Sequence, residues 1–191
     1  MPHDKAGIRL HGRAGLSHLL DPAGPIGSVA ATALGGACFP VRAILFDKTE
    51  ATNWALGWHQ DRTIVVREHV DVPGFGSWTL KQGLIHVSPP AEILAGMVTL
   101  RLHLDPVDED NAPLLIARGT HRHGAVPEHE IDTTVARAAT HACLAERGDV
   151  WLYSTLILHA SAAARRPARR RVLQIDYAAT PLTGGLDFLG V

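Results

Sequence analysis

Apolar and polar positions alternate along much of this chain with the two-residue period of strands that bury one face. The clearest run is Val98-Thr99-Leu100-Arg101-Leu102-His103-Leu104, where every second side chain is aliphatic. Val41 to Asp47 (VRAILFD) is β-branched and aromatic and reads as a strand, and Trp54 to Asp61 and Thr63 to Arg67 continue in the same manner. Leu114 to Ala117, Val150 to Leu158 and Arg171 to Tyr177 complete the predicted strands. Helical signals are sparse. Pro89-Pro90 ahead of Ala91-Glu92-Ile93-Leu94 predicts a short helix with proline in its first turn, and Glu128 to about Ala139 has helical composition. The first forty residues, rich in Gly, Ala and Pro, read as loop with one short helix. Pro73 to about Pro90 reads as a long irregular stretch, of the kind that serves as an active-site lid. Many short strands separated by turn signals, and few helices, predict a mainly β fold, a sandwich or a jelly roll.

Composition narrows the class. A chain of 191 residues, 46% of them hydrophobic, suits a single domain spanning 1–191 with a full core. No internal repeat, low-complexity tract or long linker divides it. With 18 basic against 19 acidic side chains and a net charge of −1, the chain has no electrostatic footprint for nucleic acid or an anionic membrane. Cys38 and Cys143 are its only cysteines, so a disulfide framework is not expected and a reducing cytoplasm fits. The N-terminus lacks the basic start and apolar run of a signal peptide, and no apolar stretch is long enough to span a bilayer.

Chemistry concentrates at Trp58-His59-Gln60-Asp61 and, 98 residues beyond Asp61, at His159. Residues two apart on a strand share a face, so His59 and Asp61 can present a nitrogen and an oxygen to one ion. Two imidazoles and a carboxylate with no thiolate suit iron(II) or manganese better than structural zinc. Arg170 follows His159 by 11 residues, at the opening of the next strand. A guanidinium there can grip a carboxylate through two parallel bonds, which suits a dicarboxylate co-substrate. Each of these residues also has an ordinary use, as a hydrogen-bonded half-buried histidine, a turn aspartate or one member of a solvated basic loop. Arg165, Arg166, Arg169, Arg170 and Arg171 compete for the single role of clamp.

These motifs together resemble the phytanoyl-CoA dioxygenase family of iron(II)/2-oxoglutarate oxygenases over about Val41 to Tyr177. Trp58-His59-Gln60-Asp61 is similar to the family's first metal motif. Asn111-Ala112-Pro113-Leu114, followed by Arg118-Gly119-Thr120-His121-Arg122-His123-Gly124, resembles its N-G-x-L … P-G-S-H-x-x-G stretch. Gly148-Asp149-Val150 and Leu158-His159-Ala160-Ser161, with the later arginine, resemble its H-G-S … R close. The resemblance implies a double-stranded β-helix, the cupin-like jelly roll, with a few flanking helices. It also implies that His59, Asp61 and His159 hold iron(II), with Arg170 and Ser161 on the distal carboxylate of 2-oxoglutarate and Trp78 near that co-substrate. Dioxygen would be the second co-substrate, and succinate and carbon dioxide the products released as a small organic molecule is hydroxylated. Retention of Asp61 favours hydroxylation over halogenation. Only 58 residues precede His59, so the resemblance also leaves a pocket wall that a second copy of the chain would supply, and a homodimer is expected.

Lys81, His86 and Arg101 fall on the loop and strand facing the presumed site and are the candidate substrate contacts. His121 and His123 are expected to order a turn rather than to bind iron. Two rival classes stay open on the residues alone. One is a non-catalytic jelly-roll module holding a metal or ligand, and the other is a cupin-like enzyme that does not use 2-oxoglutarate.

Overall fold

The computed structural model describes residues 7–13 and 15–191. Two antiparallel sheets face each other. The larger has the order β1 (Gly7–Leu10), β2 (Phe39–Lys48), β12 (Arg170–Ala178), β7 (Met97–His103) and β10 (Val150–Ser154). The smaller has the order β3 (Leu56–His59), β11 (His159–Ser161), β8 (Leu114–Ala117) and β9 (Thr140–Cys143). Neighbours distant in sequence pair in both sheets, which is the jelly-roll arrangement expected from the strand pattern.

Alternation along the larger sheet separates two environments. On its outer face, Ala43, Leu100, Leu173, Ile175 and Tyr177 pack with Leu20 and Ala30 of the helices α1 (Leu16–Leu20) and α2 (Gly27–Leu34). Each such buried large aliphatic side chain stabilises by about 1.5–3 kcal/mol. The Tyr177 hydroxyl donates to the Leu20 carbonyl at 3.1 Å, pinning α1 to the sheet. On the inner face the same strands carry Arg42, Lys48, Thr99, Arg101, His103, Arg170, Gln174 and Asp176, all buried.

The first forty residues contain more structure than expected, with two helices and the edge strand β1. The strand exists because Gly7 to Leu10 pair with Phe46 to Ala43 of β2, a tertiary partner that local composition does not reveal. The stretch expected to be an irregular lid is a hairpin instead, β5 (Gly76–Lys81) and β6 (Leu84–Ser88), completed by β4 (Ile64–Val66). Its two-residue turn, Gln82-Gly83, has φ of 53° and 80°. That is the φ pattern of a type I′ turn, normally signalled by Asn-Gly or Asp-Gly, so the glutamine conceals it. Ser77, at φ 52°, sits in a register shift of β5 that further breaks the alternation. The short helices α3 (Ala91–Ala95) and α4 (Ile131–Ala136) fall where predicted.

Candidate metal centre

Pairing between β3 and β11 sets His59 directly opposite His159 and brings their ring centroids to 4.2 Å. Asp61 has already left β3, yet one ligand atom from each of His59, Asp61 and His159 lies within 4.8 Å of the others. Between His59 and Asp61, Gln60 turns the opposite way. Its amide nitrogen donates to the Gly124 and Leu156 carbonyls at 2.8 and 2.6 Å, and its oxygen accepts from the Val126 amide at 2.9 Å. This buried glutamine anchors the turn that carries Asp61 past the strand end. Thr120 does the same for the other side, donating to the Ala117 carbonyl at 2.8 Å and accepting from the Leu158 amide at 3.0 Å.

Carbonyl partners fix both imidazole tautomers. The Nδ1 of His59 lies 2.7 Å from the Gly57 carbonyl and that of His159 lies 3.0 Å from the Ile157 carbonyl. A carbonyl only accepts, so each Nδ1 carries the proton and each Nε2 keeps a lone pair for a cation. Burial pushes the His159 imidazole down to about 4 against the pull of Asp61, so it is neutral, as a ligand must be. For Asp61, burial works upward, but Arg42 and the two histidines hold its carboxyl below the usual carboxylate value. Arg42 lies 3.4 Å from Asp61 and hydrogen-bonds Asp176, and Gln174 donates to Asp61 at 3.2 Å. Two imidazole Nε2 atoms and an ionised, oriented carboxylate fit a divalent ion of the iron(II) type.

These three residues open onto a cavity of about 340 Å³ between the sheets. Strand alternation resolves the competition among the five arginines. Arg169 and Arg171 point outward and pair with Asp47 and Asp105 at 3.0 and 2.7 Å, while the exposed Arg165 and Arg166 lie against Asp110. Arg170 alone turns inward, buried, donating to the Ala112 carbonyl with its Nε left unpartnered. Burial and the nearby Arg101 lower its pKa to about 10. Lys48, opposite Arg170 in the β2–β12 register, is lowered to about 8 by burial and then by the two arginines. This end of the cavity is a crowd of cations without an anion among the described residues.

Ser161 lines the same end, its hydroxyl donating to the Ala112 carbonyl at 3.2 Å and lying 3.4 Å from the Lys48 ammonium. Arg101 and Lys81 also line the cavity. Trp78 and His86 do not. Trp78 stacks on His69, with centroids 3.9 Å apart, and packs on the apolar cluster beneath the hairpin. His86 is fully buried behind the wall, where its Nε2 accepts from the Nε of Arg9 at 3.3 Å. His121 and His123 fall on a single helical turn apart from the metal cluster. Sequence reading missed Gln60, Arg42, Lys48 and Arg9, whose roles depend on neighbours far away in the chain.

Among known families, the model for phytanoyl-CoA dioxygenase matches residues 16–172. The chain belongs to the phytanoyl-CoA dioxygenase family. Its members are oxygenases that use iron(II), 2-oxoglutarate and dioxygen. No curated protein matches the chain in sequence. Solved structures do match in fold. EctD from S. alaskensis with 2-oxoglutarate and 5-hydroxyectoine is similar at a TM-score of 0.66 and 18% identity, covering 97% of this chain and 60% of that one. AviO1 from Streptomyces viridochromogenes Tue57 gives 0.57 and 21%, with 90% and 62% covered. The nickel complex of the non-heme monooxygenase ThoJ gives 0.54 and 20%, with 80% and 49% covered. The chain thus spans about three fifths or less of the length of these structures.

One departure from the family pattern has a structural consequence. Ala112 stands where the family has glycine, and it adopts a φ of 51°. A side chain in that region costs on the order of 1 kcal/mol or more. The carbonyl presented there receives both Arg170 and Ser161.

Proposed function

We propose that this protein is an iron(II)- and 2-oxoglutarate-dependent dioxygenase that hydroxylates a small organic substrate and releases succinate and carbon dioxide. The carrying observation is that His59, Asp61 and His159 converge within 4.8 Å in the same cavity that receives the inward-turned Arg170. The iron would supply a place where the 2-oxo acid and dioxygen meet and react. His59 and His159 would hold it through Nε2, and Asp61 through a carboxylate that Arg42 and Gln174 keep ionised and aimed. Arg170 would grip the distal carboxylate of the co-substrate, with Ser161 adding a hydroxyl donor. Burial at this end excludes water, so the charge–charge contact is made at low dielectric and orients the co-substrate firmly. Lys81 and Arg101 line the remaining space and are the substrate contacts in this reading.

A purely structural metal site has no use for a buried arginine lacking a carboxylate, which favours the oxygenase over a non-catalytic module. The deciding experiment adds 2-oxoglutarate to the anaerobic iron(II) protein and watches for the weak visible charge-transfer band of a chelated 2-oxo acid. Its appearance, and its loss in His59→Ala, supports the reading; a well-folded protein that binds iron but never shows the band refutes it. A cytoplasmic setting fits the two buried free thiols, Cys38 and Cys143. A homodimer fits Leu19 and Val29, which stay exposed on the helical layer. Light scattering that finds a monomer at micromolar concentration removes that part of the proposal.

A further inference from the structure

The cavity holds more positive charge than its metal ligands and co-substrate consume. Six cationic side chains line it, Arg9, Arg42, Lys48, Lys81, Arg101 and Arg170, against the single carboxylate of Asp61. Arg42 is occupied by Asp61 and the buried Asp176 behind it. Arg170 and Lys48 sit together beside Ser161, at the end assigned above to the distal carboxylate of 2-oxoglutarate. Three cations are left over. Arg101 is buried and uses one nitrogen on Gln174 at 2.8 Å, with its Nε unpartnered. Arg9 and Lys81 line the cavity where β1 meets the β5–β6 turn.

Arg9 is held in place rather than merely present. It lies on the inner face of the edge strand, opposite Ile44 of β2. Its backbone amide donates to the Gln82 side chain at 3.1 Å, and Gln82 donates back to the Gly7 carbonyl at 2.9 Å. The buried His86 donates through Nδ1 to the Leu84 carbonyl at 3.0 Å, which leaves its Nε2 able only to accept, and it accepts from the Arg9 Nε. One edge of the guanidinium is thereby fixed, and no carboxylate pairs with it among the described residues. Its two terminal nitrogens remain for something else. Lys81, next to the same turn, is exposed, lines the cavity and adds a second positive charge.

We propose, resting on the oxygenase reading, that the substrate is a small organic acid whose anionic group seats on Arg9 and Lys81, directing its carbon skeleton inward toward His59, Asp61 and His159. The size of the cavity agrees. At about 340 Å³ it lies at the lower end for small-molecule sites, roughly 300–1,000 Å³, leaving room beside a five-carbon diacid for one compact molecule. Carboxylates and phosphate monoesters share the chemistry an oriented guanidinium recognises.

The test measures thermal shifts on the protein loaded with nickel(II) and saturating 2-oxoglutarate. The probes are a panel of short-chain carboxylic acids with their methyl esters, and phosphate monoesters with the parent alcohols. Acids should raise the melting temperature where their neutral counterparts do not, and the two acid families tell carboxylate from phosphate. Arg9→Gln should weaken the responding acid about 10- to 100-fold, and Arg9→Lys should restore part of it. In both variants the anaerobic charge-transfer band with iron(II) and 2-oxoglutarate should be unchanged. That invariance shows that the fold and the co-substrate site survive. If neutral compounds bind as well as acids, if no acid responds, or if Arg9→Gln responds like wild type, the inference fails while the oxygenase reading stands. If the band never forms, both fall together.

Discussion

The two faces of the five-stranded sheet are made from the same strands and have opposite chemistry. Outward, Ala43, Leu100, Leu173, Ile175 and Tyr177 pack under the helices as an ordinary apolar core. Inward, one residue away at each step, stand Arg42, Arg101, Arg170, Gln174 and Asp176. Burial does not separate the two faces, since both are shielded from water. What differs is that the outer face is complete in itself, whereas the inner face leaves Arg101 Nε, Arg170 Nε and both nitrogens of His103 without partners among the described residues. Unsatisfied buried polar groups cost about 1–3 kcal/mol each, so an inner face built this way makes sense only around a ligand. One face stabilises the fold, and the other spends some of that stability on a site.

The largest expected effect removes a candidate metal ligand from the cavity that the inner face lines, on the opposing sheet. His159→Ala should reduce succinate formation by more than about 10²-fold, since even outer partners of metal ligands are worth about 10–100-fold. Retained iron-dependent turnover would show that β11 does not carry a ligand. The matching change on the outer face, Ile175→Ala, should cost about 2–5 kcal/mol in urea unfolding while leaving the 2-oxoglutarate affinity of the folded protein unaltered. An equal loss of affinity would break the separation of faces. Arg170→Gln should raise the KM for 2-oxoglutarate about 10- to 100-fold, whereas Arg169→Gln, exposed and paired with Asp47, should leave it unchanged.

A smaller effect comes with pH. Burial, then Arg101 and Arg170, hold His103 at about 4, while the unfolded chain protonates near its ordinary value of 6.5. The unfolded state therefore binds more protons between these values, so stability is complete above 6.5 and declines as pH falls toward 4. The loss should be on the order of 2 kcal/mol. His103→Leu should flatten part of the slope, the remainder belonging to His86 and His159, which burial also holds at about 4. An undiminished slope in that variant would remove His103 from the account. The smallest effect is a gain. Ala112→Gly should relieve the positive φ and raise stability by up to about 1 kcal/mol without loss of 2-oxoglutarate binding. A loss would show that the methyl group packs usefully.

The strands β2, β7 and β12 were legible in the sequence because a half-buried strand writes its period into consecutive residues. The metal triad was legible because His-x-Asp and a later histidine are chemically distinctive. The β5–β6 hairpin was not, since Gln82 takes a turn conformation for which local rules expect asparagine or aspartate. Neither was β9, four residues whose pairing with β8 supplies the order that their own composition does not.

By itself, then, the sequence determined the mainly β jelly roll, the three candidate ligands His59, Asp61 and His159, and the presence of an arginine eleven residues past the last of them. Tertiary structure alone decided which of five arginines turns inward, that Arg42 and Gln174 orient Asp61, and that His86 lies behind Arg9 instead of lining the cavity. Ligand identity is a property of side-chain chemistry and survives in a one-dimensional string. Orientation, burial and charge balance depend on strand register between segments a hundred residues apart, and register exists only once the sheets have closed.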